Sequence, residues 1–260
     1  MSLTAEMEQL IDEVVGLLHK SRSVLVITGA GLSADSGLPT YRGSGGLYQN
    51  DLDEHGISIE DILSSEGFCH DPSSVWRHIG QVEHSCRDVK PSRGHSVIAA
   101  MEHSFERFWV LTQNVDGFHQ RAGSRNVISI HGSIHNLRCI SCDYRATVES
   151  YAGLDPVPHC PLCDHLIRPD VVLFGERLNE EAIDLYDREM DQPFDMVFTV
   201  GTSSLFTYIR NPVMDAALFD RPTVEINPER TEISDIVQIR LPLRAAEALD
   251  EIWSRFTCAK

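Results

Sequence analysis

The sequence predicts an α/β fold: a large, doubly wound parallel-sheet domain with a smaller domain formed by two insertions. Short β-branched, apolar runs recur without the polar alternation of a half-exposed sheet, as strands covered on both faces require. Amphipathic stretches lie between them, which is the rhythm of strand–helix–strand crossovers. Two Cys-x-x-Cys pairs, Cys139 with Cys142 and Cys160 with Cys163, break that rhythm in mid-chain. At 260 residues and 42% hydrophobic, the chain can bury one large core and a small satellite.

The elements follow in order. Residues 6–20 carry Leu10, Ile11, Val14, Leu17 and Leu18 at helical spacing and predict an amphipathic helix. The run SVLVIT at 23–28 predicts the first strand, and FWVLT at 108–112, VISI at 127–130, MVFTV at 196–200 and TVEIN at 223–227 predict four more. Helical stretches around 93–102, 180–190, 212–219 and 245–256 alternate with them. Residues 44–88, rich in His, Ser and Asp, and 136–168, with the cysteines, lack the alternation. The expected division is therefore 1–43, 89–135 and 169–260 for the large domain and 44–88 with 136–168 for the small one.

A thiolate at each end of a tight turn places two sulfurs on one side of a tetrahedron, and a second such turn completes it. The spacing of Cys139, Cys142, Cys160 and Cys163 thus predicts one structural Zn2+ in a zinc ribbon. Four sulfurs leave the metal no open position, so the chemistry is expected elsewhere. A pair of disulfides would need an oxidising compartment, and residues 1–20 lack the apolar block of a signal peptide. No run approaches the roughly 18 apolar residues of a membrane span, so a cytoplasmic protein with no membrane partner is expected. A net charge of -17 argues against direct nucleic-acid binding, because phosphate affinity comes from Lys and Arg, and it suits a cationic partner.

Gly29-Ala30-Gly31-Leu32-Ser33-Ala34 follows the first strand and matches the dinucleotide fingerprint with Ala as the third small residue. Small residues let the backbone approach a pyrophosphate at a helix start, and the domain is Rossmann-like in that sense. The acidic residue that normally ends a second strand about 20 positions later has no strand before it here, so an ordinary dehydrogenase fits poorly. The other predicted strands end in Gln113-Asn114-Val115-Asp116, His131-Gly132, Gly201-Thr202-Ser203 and Asn227-Pro228. In an open α/β sheet these carboxyl ends meet on the ligand-binding edge. His131, directly after a buried strand, has the imidazole a general base near neutral pH requires.

Together these segments resemble the sirtuin family of NAD-dependent protein deacylases. The resemblance runs over residues 24–249 and is carried by GAGLSADSGLPTYRG at 29–43, TQNVDGFHQRAG at 112–123, the His131-Gly pair, the cysteine pairs, RPDVVLFGE at 168–176 and GTSS from Gly201. It implies that NAD is consumed as a co-substrate. Gly29, Ala30, Gly31, Ser33 and Arg42 would hold the diphosphate and its ribose, with Tyr41 in place of the family's usual Phe over the reacting ribose. Gln113, Asn114 and Asp116 would line the nicotinamide and ribose pocket, with Asn114 and Asp116 beside His131 in the catalytic set. Gly201, Thr202, Ser203 and Asn227 would contact the adenosine half, with Ala245 near the adenine. Val172 would face the acyl-lysine of a protein or peptide partner, and Phe174-Gly175-Glu176 would offer that peptide an extended backbone edge. The acyl-lysine oxygen would displace nicotinamide, and His131 would then deprotonate a ribose hydroxyl that carries the acyl group to ADP-ribose.

Two departures refine the expectation. Relatives that remove acidic acyl groups carry a Tyr and an Arg in the helical insertion, where this sequence has Ile79 and Val82, so neutral acyl groups are expected. After GTSS, relatives commonly have a Val and a Pro, where this chain reads Phe206-Thr207-Tyr208-Ile209. Two other classes remain open at this stage: a protein mono-ADP-ribosyltransferase on the same scaffold, and a non-catalytic NAD-sensing zinc-ribbon module.

Overall fold

A computed structural model describes residues 3–40 and 56–258. Tyr41, Arg42 and the start of the first insertion lie outside the described residues. Six parallel strands form the main sheet: β1 (Ser23–Thr28), β2 (Arg107–Thr112), β3 (Val127–Ser129), β7 (Met196–Val200), β8 (Thr223–Ile226) and β9 (Ile239–Leu241). Their order is β3-β2-β1-β7-β8-β9, so the chain builds outward from β1 in one direction and from β7 in the other. The switch between β1 and β7 is where an open α/β sheet leaves a crevice.

The apolar runs are buried on both faces, as a covered parallel sheet demands. Val24 and Val26 of β1 pack in one core cluster with Ile11, Val14 and Leu18 of helix α1 (Ala5–Leu18). Leu25 and Ile27 point to the opposite cluster with Leu111, Ile128 and Val213. Helix α1 begins where the Thr4 hydroxyl accepts from the Met7 amide at 3.3 Å, and Glu6 and Glu8 sit favourably in its first turn. Among the described residues no helix is long and apolar enough to cross a membrane.

Two elements differ from the sequence expectation. Strand β9 was not expected, because only Ile239 and Leu241 are buried and Arg240 interrupts them; three residues give too little pattern to read. The helix expected from 212 begins instead at Thr207, so Pro212 lies inside α9 (Thr207–Leu218). Proline has no amide for the Tyr208 carbonyl four residues back. The Tyr186 hydroxyl, on α8 (Glu180–Met190), donates to that carbonyl at 2.9 Å, which makes the earlier start tolerable.

The second sheet is antiparallel, with order β5-β4-β6 from β4 (Gly132–Cys139), β5 (Arg145–Thr147) and β6 (Ile167–Val171). Helices α3 (Ile59–Ile62), α4 (Ser65–His70) and α5 (Pro72–Arg87) cover it. Phe68, Val75, Trp76 and Ile79 pack there with Ile134, Leu137, Ile167 and Val171, so these helices and this sheet share one core. The Trp76 indole donates to the Ile167 carbonyl at 3.0 Å, satisfying its buried N–H. The sheet starts at a tight crossing. Gly132 has φ +81°, and a Cβ there would lie 2.0 Å from the Asp170 carbonyl oxygen. Gly132→Ala is therefore expected to cost at least about 2 kcal/mol, from the left-handed backbone and the clash together. Urea unfolding measures this, and a variant with the wild-type midpoint would contradict the crossing.

Candidate active site

A cleft of about 660 Å³ lies along the carboxyl edge of the parallel sheet and runs on beneath the small sheet. Its floor is where β1 turns into α2 (Ala30–Ala34) against the end of β7. The Gly29 amide donates to the Val200 carbonyl at 3.1 Å and the Gly31 amide to the Gly201 carbonyl at 2.9 Å. A Cβ on Gly31 would sit 2.7 Å from the Gly201 Cα, so only glycine lets these two turns close. The small residues that suggested a phosphate loop thus also serve backbone packing.

Hydrogen bonds between the strand ends hold the rest of the site. Gln113, just past β2, donates from Nε2 to the Thr202 hydroxyl at 2.7 Å, and Asn227, after β8, donates to the Thr202 carbonyl at 3.1 Å. The Asn114 amide donates to the Gly29 carbonyl at 3.0 Å and to the Ser33 hydroxyl at 3.1 Å. Ser33 in turn donates to Asp116 at 2.6 Å, and the Phe118 amide donates to the other carboxylate oxygen at 2.9 Å. Burial pushes the Asp116 carboxyl up, and the Ser33 and Phe118 donors pull it back. Gly29, Ala30, Gly31, Gln113, Asn114, Gly201, Thr202, Ser203, Asn227 and Ala245 all line the cleft. Ser33 and Asp116, buried at 4% and 7% exposure, stand one layer behind Asn114 instead.

His131 is half-buried on the cleft wall. Its Nδ1 lies 3.1 Å from the Gln113 carbonyl and its Nε2 lies 2.6 Å from the Tyr208 hydroxyl. A carbonyl can only accept, so Nδ1 carries the hydrogen, and in the neutral ring Nε2 holds the lone pair. The His131 carbonyl accepts from the Val172 amide at 3.0 Å, which ties the imidazole to the segment after β6.

That segment departs from expectation. Val172, Phe174, Gly175 and Glu176 line the cleft, but 174–176 is a turn, not an extended edge. Gly175 has φ +79°, and the Glu176 amide closes on the Leu173 carbonyl at 3.0 Å. The Phe174 amide donates to the Leu63 carbonyl at 2.8 Å, and its own carbonyl accepts from the Ser65 amide at 3.1 Å. Arg168 fixes the turn by gripping the Glu176 carboxylate at 2.5 and 3.1 Å.

Several wall residues carried no signal of their own. Asp35 accepts from Arg244 at 2.8 Å and from the Ala246 amide at 2.6 Å, seating the start of α10 (Ala245–Cys258) on the cleft. Glu225, 1% exposed, accepts from Thr231 and from Ser234 at 2.6 Å and pairs with Arg240 at 3.2 Å, which holds the loop bearing Arg230. These partners are distant in sequence or sit in irregular loops, where periodicity has nothing to report.

The Sir2 family profile matches residues 29–207. The chain belongs to the Sir2 family. An NAD-dependent protein deacylase 2 of Pseudomonas aeruginosa is 41% identical over 247 residues, covering 94% of this chain and 96% of that protein. An NAD-dependent protein deacylase 1 of Archaeoglobus fulgidus is 33% identical over 241 residues, covering 93% and 96%. A solved Sir2 homologue–NAD complex superposes with a TM-score of 0.86 at 33% identity, covering 95% of this chain and 94% of that one. A Sir2–p53 peptide–NAD+ complex does so with 0.79 at 27% identity, covering 95% and 99%.

The cysteines of this Sir2 chain meet the demands of a closed zinc site. All four Sγ atoms lie within 4.8 Å of one another, with Cys139 to Cys163 at 3.4 Å and Cys142 to Cys160 at 3.6 Å. A tetrahedron with Zn–S near 2.3 Å has edges of about 3.8 Å. The Ser141 amide points at the Cys139 sulfur at 3.3 Å, as suits a thiolate. Cys139 ends β4, the strand that starts beside His131, so the metal would anchor the far end of the lever carrying the imidazole. Cys139→Ala, or removal of zinc by a chelator, is expected to unfold the β5-β4-β6 sheet and abolish turnover. One zinc per chain by elemental analysis and loss of amide protection in 132–171 check this; zinc-depleted protein that stayed folded and fully active would overturn it.

Proposed function

We propose that this chain is an NAD-dependent protein-lysine deacylase that removes neutral acyl groups and releases nicotinamide and O-acyl-ADP-ribose. The carrying observation is His131: an imidazole with its lone pair on Nε2, in one cleft with the glycine turns at the sheet's switch point and an apolar wall beyond. Its support includes the names of the relatives, NAD-dependent protein deacylases, and the peptide and NAD found together in a solved neighbour.

In this reading Gly29, Ala30, Gly31, Gly201, Thr202, Ser203 and Asn227 hold the dinucleotide, with Ala245 at the adenine end, Ser33 and Asp116 bracing Asn114 from behind, and Tyr41 and Arg42 completing the set. Bound NAD supplies an electrophilic ribose carbon and a nicotinamide leaving group. Gln113 and Asn114 orient the ribose, because their side-chain amides are themselves fixed on Thr202 and Gly29. His131 Nε2 removes a proton from a ribose hydroxyl, and the Gln113 carbonyl stabilises the imidazolium through Nδ1–H. The acyl-lysine lies against Val172, and the walls exclude water from a reaction whose nucleophile is only an amide oxygen. Residues 1–43, 89–135 and 169–260 carry the NAD side, and the acyl side joins 44–88 and 136–168 with the flanking Ile134 and Val171–Leu173.

Acyl preference follows from the wall chemistry. Leu63, Ile79, Val82, Ile134, Val171 and Leu173 face the cleft on that side. The cationic side chains among the described lining residues are Arg230 and Arg244, which pair with Asp235 and Asp35. An acyl carboxylate at Ile79 and Val82 would be buried without a partner among the described residues, which is costly. Acetyl-lysine peptide should therefore exceed succinyl-lysine peptide in kcat/KM by at least about 100-fold, and equal efficiency would refute the neutral preference.

His131→Ala is expected to lower kcat by roughly 10²–10⁴-fold. Assay with labelled NAD and acylated or unacylated peptide discriminates the classes. Acyl-dependent nicotinamide release supports deacylation, label on unacylated protein supports ADP-ribosyl transfer, and an alanine variant with unaltered function supports a binding module.

A further inference from the structure

We propose that Tyr208 is a second catalytic residue, a phenol that relays the substrate's proton to His131. The proposal rests on His131 being the general base. Because Nδ1–H is committed to the Gln113 carbonyl, the only basic position on the ring is Nε2. That position faces the Tyr208 oxygen at 2.6 Å, with the phenol as donor. Both side chains line the cleft.

The phenol is held rather than loosely placed. Its ring stacks on Phe206 with centroids 5.4 Å apart and planes 10° apart. Both rings stand almost perpendicular to the imidazole, Tyr208 at 88° and Phe206 at 83°, and brace it edge-on. The backbone beneath is fixed too, since the Tyr208 carbonyl, which Pro212 cannot serve, accepts from Tyr186 at 2.9 Å. The unusual segment 206–209 thus builds one aromatic bracket around the base.

A phenol oxygen that donates one hydrogen bond can accept another. Because the phenol occupies Nε2, a ribose hydroxyl in the cleft reaches the base through the phenol oxygen. The substrate O–H bond breaks as a new phenol O–H bond forms, and the original phenol O–H breaks as Nε2–H forms. The products are a substrate alkoxide, ready to attack the acyl carbon, and an imidazolium, with the phenol restored. No further reactant is needed.

Tyr208→Phe deletes one oxygen and keeps the stack. Under single-turnover conditions with NAD and acetyl-lysine peptide, the acyl-transfer rate should fall at least about tenfold, while KM for both substrates changes less than about threefold. Nicotinamide–NAD exchange, which precedes the base step, should persist. In mixed H2O/D2O the wild-type rate should show the curved dependence of two protons in flight, and the variant a linear one. An unchanged or faster Tyr208→Phe enzyme, or a linear wild-type dependence, would overturn the relay; should the variant fail to fold, the wild-type dependence alone decides. An active His131→Ala enzyme would remove the base itself, whereas an inactive one beside a normal Tyr208→Phe enzyme removes only the relay.

Discussion

The contact on which the rest depends is the closure of the β1–α2 turn onto the turn after β7, where the Gly31 amide meets the Gly201 carbonyl at 2.9 Å. Two backbones approach here to a distance that no side chain permits. The contact lies at the point where the sheet's strand order reverses, so it sets the floor of the crevice and the spacing of the strand ends around it. Asn114 and Gln113 then reach across from β2 to bond the Gly29 and Thr28 carbonyls, and Asn227 reaches in from β8. Each polar side chain at the edge is oriented by backbone or by another strand end, which is the preorganisation a site acting on a weak nucleophile needs.

From that floor, order is transmitted to the small sheet through hydrogen bonds and one strand. Gln113 fixes the tautomer of His131, whose own carbonyl receives the Val172 amide, and Gly132 begins the strand that ends at Cys139. The metal site and the imidazole are therefore opposite ends of one strand, and the pairing of Gly132 with Val171 keeps His131 and Val172 in register. A zinc with no open coordination position contributes rigidity alone. The helices of the first insertion supply the remaining wall, so that wall and the strand that starts beside His131 share a single apolar core.

Much of this was readable from the chain. The buried strands announce themselves as apolar runs because both faces are covered, and the four cysteines because sulfur spacing is dictated by a tetrahedron. The polar strand ends converge as the topology rule requires. Three features were not readable, each for a physical reason. Strand β9 is three residues long, with the partly buried Arg240 between Ile239 and Leu241, too short to show a period. The early start of α9 depends on Tyr186, a partner more than twenty residues away, to satisfy the carbonyl that Pro212 leaves unserved. The turn at 174–176 depends on the Arg168 guanidinium gripping Glu176, a side-chain contact that an extended-edge reading of RPDVVLFGE does not contain. The segment 206–209 was visible as a departure from its relatives, but its meaning required the distance to His131.

The central claim is that this crevice spends one NAD for each acyl group it moves, with the acyl group captured by ADP-ribose rather than by water. Quantifying all products of a reaction with acetyl-lysine peptide tests it most directly. The account predicts nicotinamide, free lysine peptide and O-acetyl-ADP-ribose in equal amounts from the first turnover. Free acetate formed without nicotinamide, or nicotinamide formed equally well without acylated peptide, would contradict it.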